Sequence, residues 1–171
     1  MIHFLEEIPE NIKVFIDANI FVYFFSKESV FNSSCTKFFK KIEKKELWGI
    51  TNAIIIQEAI HRIMIEEALI TFPEIGLKKI THFLKNNPEI IKQLRINRYL
   101  VYVIENLGIN VIPVTFETIK KAQNIKKQYG LLNNDALLVQ TMFENQIVNL
   151  ATNDKDFERI TEIHIYKPTP S

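Results

Sequence analysis

At 171 residues, 47% hydrophobic and 24% charged, the chain has enough apolar material to bury a core and too little polar bias for a disordered segment. One cysteine, Cys35, excludes an intramolecular disulfide and a cysteine-based zinc cluster, so a metal here must be held by oxygen. No apolar run reaches the roughly 18 residues of a membrane span, and the opening MIHFLEEIPE lacks the basic and apolar regions of a signal peptide, so a cytoplasmic location is expected.

In chain order, residues 12–16 form a short apolar, β-rich run and read as a strand. Helical patterns follow over about 19–26 and 32–45, then a strand over 47–51. Helices are expected over 53–70, 74–86 and 88–106, with Pro73 and Pro88 suited to first-turn positions. A third strand reads over 110–114, helices over 116–129 and 134–144, and two last strands over 146–151 and 163–166. Strands alternating with helices, and apolar on both faces, predict an α/β fold: three layers, α/β/α, around a central, mostly parallel five-stranded sheet. No repeat, linker or low-complexity stretch interrupts residues 1–171, so one domain is expected, with an extended helical segment around 71–109.

Four acidic residues stand out against this pattern. Asp17 follows the first strand in VFIDANIFVYFF, and Glu58 sits among isoleucines in NAIIIQEAI. Asp135 opens a helical run in LLNNDALLVQ, and Asp154 follows a strand in NLATNDKDF. Ligands of wound parallel sheets meet the protein at the carboxyl ends of strands, which is where Asp17 and Asp154 are placed. Each has an ordinary alternative: Asp135 suits a helix start, and Glu58 is four residues from Arg62 as a surface ion pair. Taken together they predict a shared site, because two carboxylates about 4 Å apart repel by roughly 4 kcal/mol at an effective dielectric of 20 and need a cation. Oxygen-only ligands favour Mg²⁺ or Mn²⁺.

These same segments resemble the motifs of the PIN-domain family, which includes the VapC toxins of prokaryotic toxin–antitoxin pairs. FIDANIFVYFF is similar to the first motif, NAIIIQEAI to the second, and LLNNDALLVQTMFENQIVNLATNDKDFERI to the third and fourth. The resemblance implies that Asp17, Glu58, Asp135 and Asp154 are the catalytic, metal-binding set, that Asp156 is a further carboxylate ligand, and that Asn19, Thr152 and Asn153 bond to the carboxylates or their waters. It further implies an Mg²⁺- or Mn²⁺-dependent endoribonuclease that cleaves RNA by a metal-activated water. RNA as substrate, a small antitoxin protein and a second copy in a homodimer are the implied partners, with no membrane.

Other readings are weaker. A haloacid-dehalogenase-like phosphatase needs a second Asp two positions after the first, where this chain has Asn19; a receiver domain needs an acidic pair at the strand end, and Glu6 and Glu7 lie before the strand. His61, His82 and His164 lack partners at metal spacing, and Ser33 and Ser34 lack a nucleophile-elbow context. A PIN fold that binds RNA or protein without cutting is the main alternative, and the complete acidic set speaks against it. The segment 71–109 carries Arg95, Arg98, Tyr99 and Tyr102, a mix able to contact phosphates and bases or to pack at an interface. Paired phenylalanines, Phe24 with Phe25 and Phe38 with Phe39, are expected in the core.

Overall fold

The computed structural model describes residues 2–171. Six strands lie in one sheet: β1 (Ile2–Phe4), β2 (Lys13–Ile16), β3 (Trp48–Asn52), β4 (Asn110–Ile112), β5 (Asn149–Ala151) and β6 (His164–Lys167). Their order across the sheet is β1-β6-β5-β2-β3-β4, and every neighbouring pair is parallel. The sheet therefore has six strands where five were expected. The added strand, β1, is three residues long and is defined by its pairing with β6, Ile2 opposite Ile165, a partner more than 160 residues away in sequence.

Eight α-helices connect the strands among the described residues: α1 (Ala18–Phe25), α2 (Asn32–Glu43), α3 (Ala53–Thr71), α4 (Leu77–Asn86), α5 (Pro88–Gln93), α6 (Ile96–Leu107), α7 (Phe116–Tyr129) and α8 (Asn133–Glu144). The chain steps from β2 to β3 to β4 toward one edge and then returns to β5 and β6 on the other side of β2. Right-handed crossovers put α1 to α6 on one face and α7 with α8 on the other. The packing agrees, with α1 against α2 and α3, α3 against α6, and α7 against α8.

Local chemistry sets most boundaries. Asn52 accepts from the Ile55 amide at 2.9 Å to start α3, and Thr115 accepts from Thr118 at 3.1 Å to start α7. Gly108 and Gly130 end α6 and α7 in the left-handed conformation, at φ 64° and 66°. One expected helix, 88–106, is instead two. The break has a tertiary cause: the Glu67 carboxylate, from α3, accepts from the backbone amides of Arg95, Ile96 and Asn97 at 2.6, 2.9 and 3.4 Å and so caps a new helix there.

The core lies on both sides of the sheet. Phe15, Phe21, Phe38 and Phe157 are fully buried, and Phe39 nearly so, while Phe24 and Phe25 pack partly buried against it. Gly49 in β3 is closely packed: a Cβ would lie 3.0 Å from Ile42 Cδ1 and 3.1 Å from Ile16 Cδ1, so these side chains would have to give way by a few tenths of an ångström. A second, smaller cluster of Ala68, Ile80, Leu84 and Leu94 seals the end of α3 against α4 and α5. No helix among the described residues is long and apolar enough to cross a membrane.

Candidate metal centre

The reversal of strand order falls between β2 and β5, and the crevice beyond the carboxyl ends of these two strands is where a ligand of such a sheet is expected. Asp17 follows β2 directly, and its amide donates to the Ala151 carbonyl at 3.1 Å. Its backbone is still extended, so it serves as the N-cap of α1, its Oδ1 accepting from Ala18 at 2.6 Å. The other oxygen, Oδ2, accepts from Asn19 Nδ2 at 2.6 Å and from Thr152 Oγ1 at 2.7 Å. Thr152 follows β5, and its hydroxyl also accepts from Asn19 at 3.1 Å and from the Asp154 amide at 3.0 Å. Asn19 closes the network with its Oδ1, which accepts from the Asn153 amide at 3.2 Å. The ends of two strands are thus stitched together through one carboxylate.

Asp154 and Asp156 stand on the turn that follows, where the Asp156 amide donates to Asp154 Oδ1 at 2.8 Å. Asp135 lies in the first turn of α8, third in the helix, in keeping with the helix start expected there. Each of Asp135, Asp154 and Asp156 presents an oxygen within 4.8 Å of the others. Glu58 approaches from α3: Asn134 donates to it at 3.0 Å, and Arg62 lies at 3.8 Å.

Burial divides the set. Asp17 is 7% exposed; Glu58, Asp135, Asp154 and Asp156 are half-buried. Glu58 is not enclosed by its isoleucine neighbours: its side chain is 32% exposed at the edge of α3, beside Arg62. Burial pushes the Asp17 carboxyl up to about 6, against hydrogen bonds from Thr152 and Ala18, with the charge of Glu58 adding to the rise. Desolvation likewise raises Asp135 to about 6, reinforced by the charges of Asp154, Asp17, Glu58 and Asp156. All five carboxylates therefore share one electrostatic neighbourhood.

The donor set fits a hard divalent cation. It is all carboxylate oxygen, without histidine or thiolate, and among the described residues no donor bonds the Asp135 carboxylate. Three contributors escaped the sequence reading: Asn134, which orients Glu58; Tyr23, whose hydroxyl accepts from Asn153 at 3.3 Å; and Arg159, which pairs with Asp156. The spacing of Arg159 from Asp156 on one turn was the only local signal for any of them.

Arg95, Arg98, Tyr99 and Tyr102 gather away from this network, along one exposed stripe of α6 around an open depression of about 640 Å³. Tyr99 and Tyr102 are 58% and 60% exposed, so they are not core packing.

The chain is thus of the class of open, wholly parallel α/β sheets with helices on both faces, and it carries an acidic cluster at its topological switch point. The PIN domain model matches residues 14–163, and the chain belongs to the PIN-domain family. It is similar to Ribonuclease VapC2 of Methanocaldococcus jannaschii, with 28% identity over 91% of this chain and 94% of that protein. Ribonuclease VapC6 of the same organism is 28% identical over 93% of this chain and 98% of its own length. Among solved structures, VapBC2 of Rickettsia felis bound to a promoter DNA fragment superposes with a TM-score of 0.57 at 16% identity, covering 92% of this chain and 99% of that one. At that identity the likeness concerns the fold alone.

Proposed function

We propose that this chain is a metal-dependent endoribonuclease that hydrolyses RNA phosphodiester bonds and acts as the toxin of a toxin–antitoxin pair. The observation that carries the reading is the electrostatic convergence of Asp17, Glu58, Asp135, Asp154 and Asp156 from four segments of chain on one crevice. Both Methanocaldococcus jannaschii relatives are ribonucleases, which supports RNA over DNA as substrate.

In this reading Asp17, Glu58, Asp135 and Asp154 hold the ion, Asp156 adds a further oxygen, and Mg²⁺ or Mn²⁺ suits an all-oxygen set. When bound, such a cation supplies Lewis acidity, activating water for attack at phosphorus and offsetting charge on the phosphoryl oxygens. Thr152 and Asn19 fix the Asp17 carboxylate by two hydrogen bonds to one oxygen. Asn134 holds Glu58, and Asn153 joins the Asn19 side chain to Tyr23. Arg62 at the rim offsets part of the negative charge and is placed to meet a substrate phosphate.

Two partners follow from the same reading. The exposed stripe on α6 is the face on which we place a homodimer, since tyrosine and arginine are favoured at such contacts. An apolar depression of about 500 Å³ between α1, α3 and α6, lined by Phe24, Phe25, Ile63, Ile70 and Ile96, suits a small antitoxin helix.

The test is incubation of purified protein with total cellular RNA and with matched single-stranded DNA, in Mg²⁺, in Mn²⁺ and in EDTA, beside Asp17→Asn. Cleavage of RNA that needs metal and is lost in the variant is the expected result. Unchanged cleavage by Asp17→Asn overturns the site assignment, and absence of metal-dependent cleavage of any RNA favours a binding role.

A further inference from the structure

Arg159 ends the short 3-10 turn Lys155–Arg159 that follows Asp154. Its guanidinium joins acceptors from two separate parts of the chain. Nη2 is in contact with Asp156 Oδ1, while Nη1 donates to the carbonyls of Gly130 at 3.0 Å and Tyr129 at 3.3 Å. Those carbonyls are the C-terminal end of α7, where unsatisfied oxygens and the helix dipole favour a cation. Three residues after Gly130 the chain enters α8, which carries Asn134 and Asp135. One side chain thus ties the loop bearing Asp154 and Asp156 to the junction that presents Asp135.

We propose that Arg159 is a positioning residue: it fixes Asp156 against the α7–α8 junction and so sets the affinity of the acidic centre for a divalent cation. The inference rests on the metal-centre reading above. With Oδ1 engaged by the guanidinium, Oδ2 is the oxygen that Asp156 has left to offer a cation. Without Arg159, the half-exposed Asp156 carboxylate rotates into water and the junction loses its tie. The three carboxylates whose oxygens lie within 4.8 Å must then be ordered at the moment of binding. The positive charge of Arg159 acts the other way, against a cation. That opposing effect is the smaller one, because the guanidinium is 43% exposed, hence screened, and is already engaged with a carboxylate and two carbonyls. The turn itself does not depend on Arg159, since Phe157 and Ile160 anchor it in the core.

The experiment is Mn²⁺ titration of the full chain by calorimetry, with Arg159→Met, Arg159→Lys, Asp156→Ala and the Asp156→Ala/Arg159→Met pair, each also melted in EDTA. Arg159→Met is expected to weaken Mn²⁺ binding by about 10–100-fold, the usual effect of losing a ligand-orienting partner. Arg159→Lys recovers only part of this, because an ammonium lacks the planar fork that meets a carboxylate and two carbonyls at once. In the Asp156→Ala background, where four carboxylates remain, the further effect of Arg159→Met shrinks to about threefold or less. Equal or tighter Mn²⁺ binding by Arg159→Met, or its full effect persisting without Asp156, overturns the proposal. A wild-type protein that binds no Mn²⁺ overturns the metal-centre reading itself.

Discussion

Replacing Asp17 with asparagine is expected to stabilise the protein without metal and to destabilise it, relative to wild type, with metal. The carboxyl is 7% exposed and is pushed from 3.8 to about 6, chiefly by burial. Holding it charged at pH 7.5 therefore costs the native state about 3 kcal/mol. The amide removes that charge but offers one acceptor oxygen where the carboxylate offers two. Either Ala18 or the Asn19 and Thr152 donors lose a partner, a loss of about 1–2 kcal/mol. The net gain is about 1–2 kcal/mol, or roughly 2–6 °C in melting temperature for a chain of this size. The advantage should fade as pH falls through 6, where the wild-type carboxyl takes up its proton, reach zero at about pH 5 and reverse below that, since the hydrogen-bond loss persists. Saturating Mg²⁺ at about 100 times its dissociation constant adds about 2.7 kcal/mol to wild type and less to the variant, so the order of stability inverts. Thermal or urea unfolding in EDTA and in Mg²⁺, at pH 7.5 and 5, measures all of this. A variant less stable than wild type in EDTA at pH 7.5, a pH-independent difference, or equal stabilisation of both by Mg²⁺ refutes the reasoning.

Three other outcomes are expected. The metal-free wild type should grow more stable as pH falls from about 7 to 5, because Asp17 and Asp135, both titrating near 6, bind more protons folded than unfolded, and then lose stability below the usual carboxylate range as Glu6 and Glu144, whose carboxyls hydrogen bonds hold low, take up protons; a steady decline from pH 7 in urea melts contradicts this. Glu67→Ala strips the cap from α6 and should cost about 1–2 kcal/mol, with hydrogen exchange accelerated first at Ile96 and Asn97; exchange unchanged there means that Glu67 does not start the helix. Tyr99→Ser with Tyr102→Ser should yield a monomer by light scattering at an unchanged melting temperature, whereas a dimer that persists moves the homodimer face elsewhere.

Much of the site was legible because its chemistry is conspicuous in one dimension. A carboxylate directly after a β-rich run, as at Asp17 and Asp154, announces a strand end facing a crevice, and Asn19 and Thr152 stand close enough in sequence to be read with them. Asp156, and the roles of Asn19 and Thr152, came only from the resemblance to the PIN motifs. Asn134 and Tyr23 were not, since nothing local says that an asparagine on α8 meets a glutamate on α3, 76 residues apart. Glu58 misled in the other direction: its isoleucine neighbours suggested enclosure, but a helix sends successive residues to different faces, and the one carrying Glu58 is half-open.

Composition and periodicity alone determined the layered α/β architecture and the oxygen-only donor set, because burial of apolar faces and the availability of ligand atoms are properties of the residues themselves. Tertiary structure alone decided the rest. β1 is a strand only because β6 is there to pair with it, and α5 and α6 are separate only because Glu67 reaches across to cap the second. The electrostatic union of five carboxylates is of the same kind. They lie far apart in sequence, and it is the return of the chain to β5, beside β2, that brings their charges to a single point.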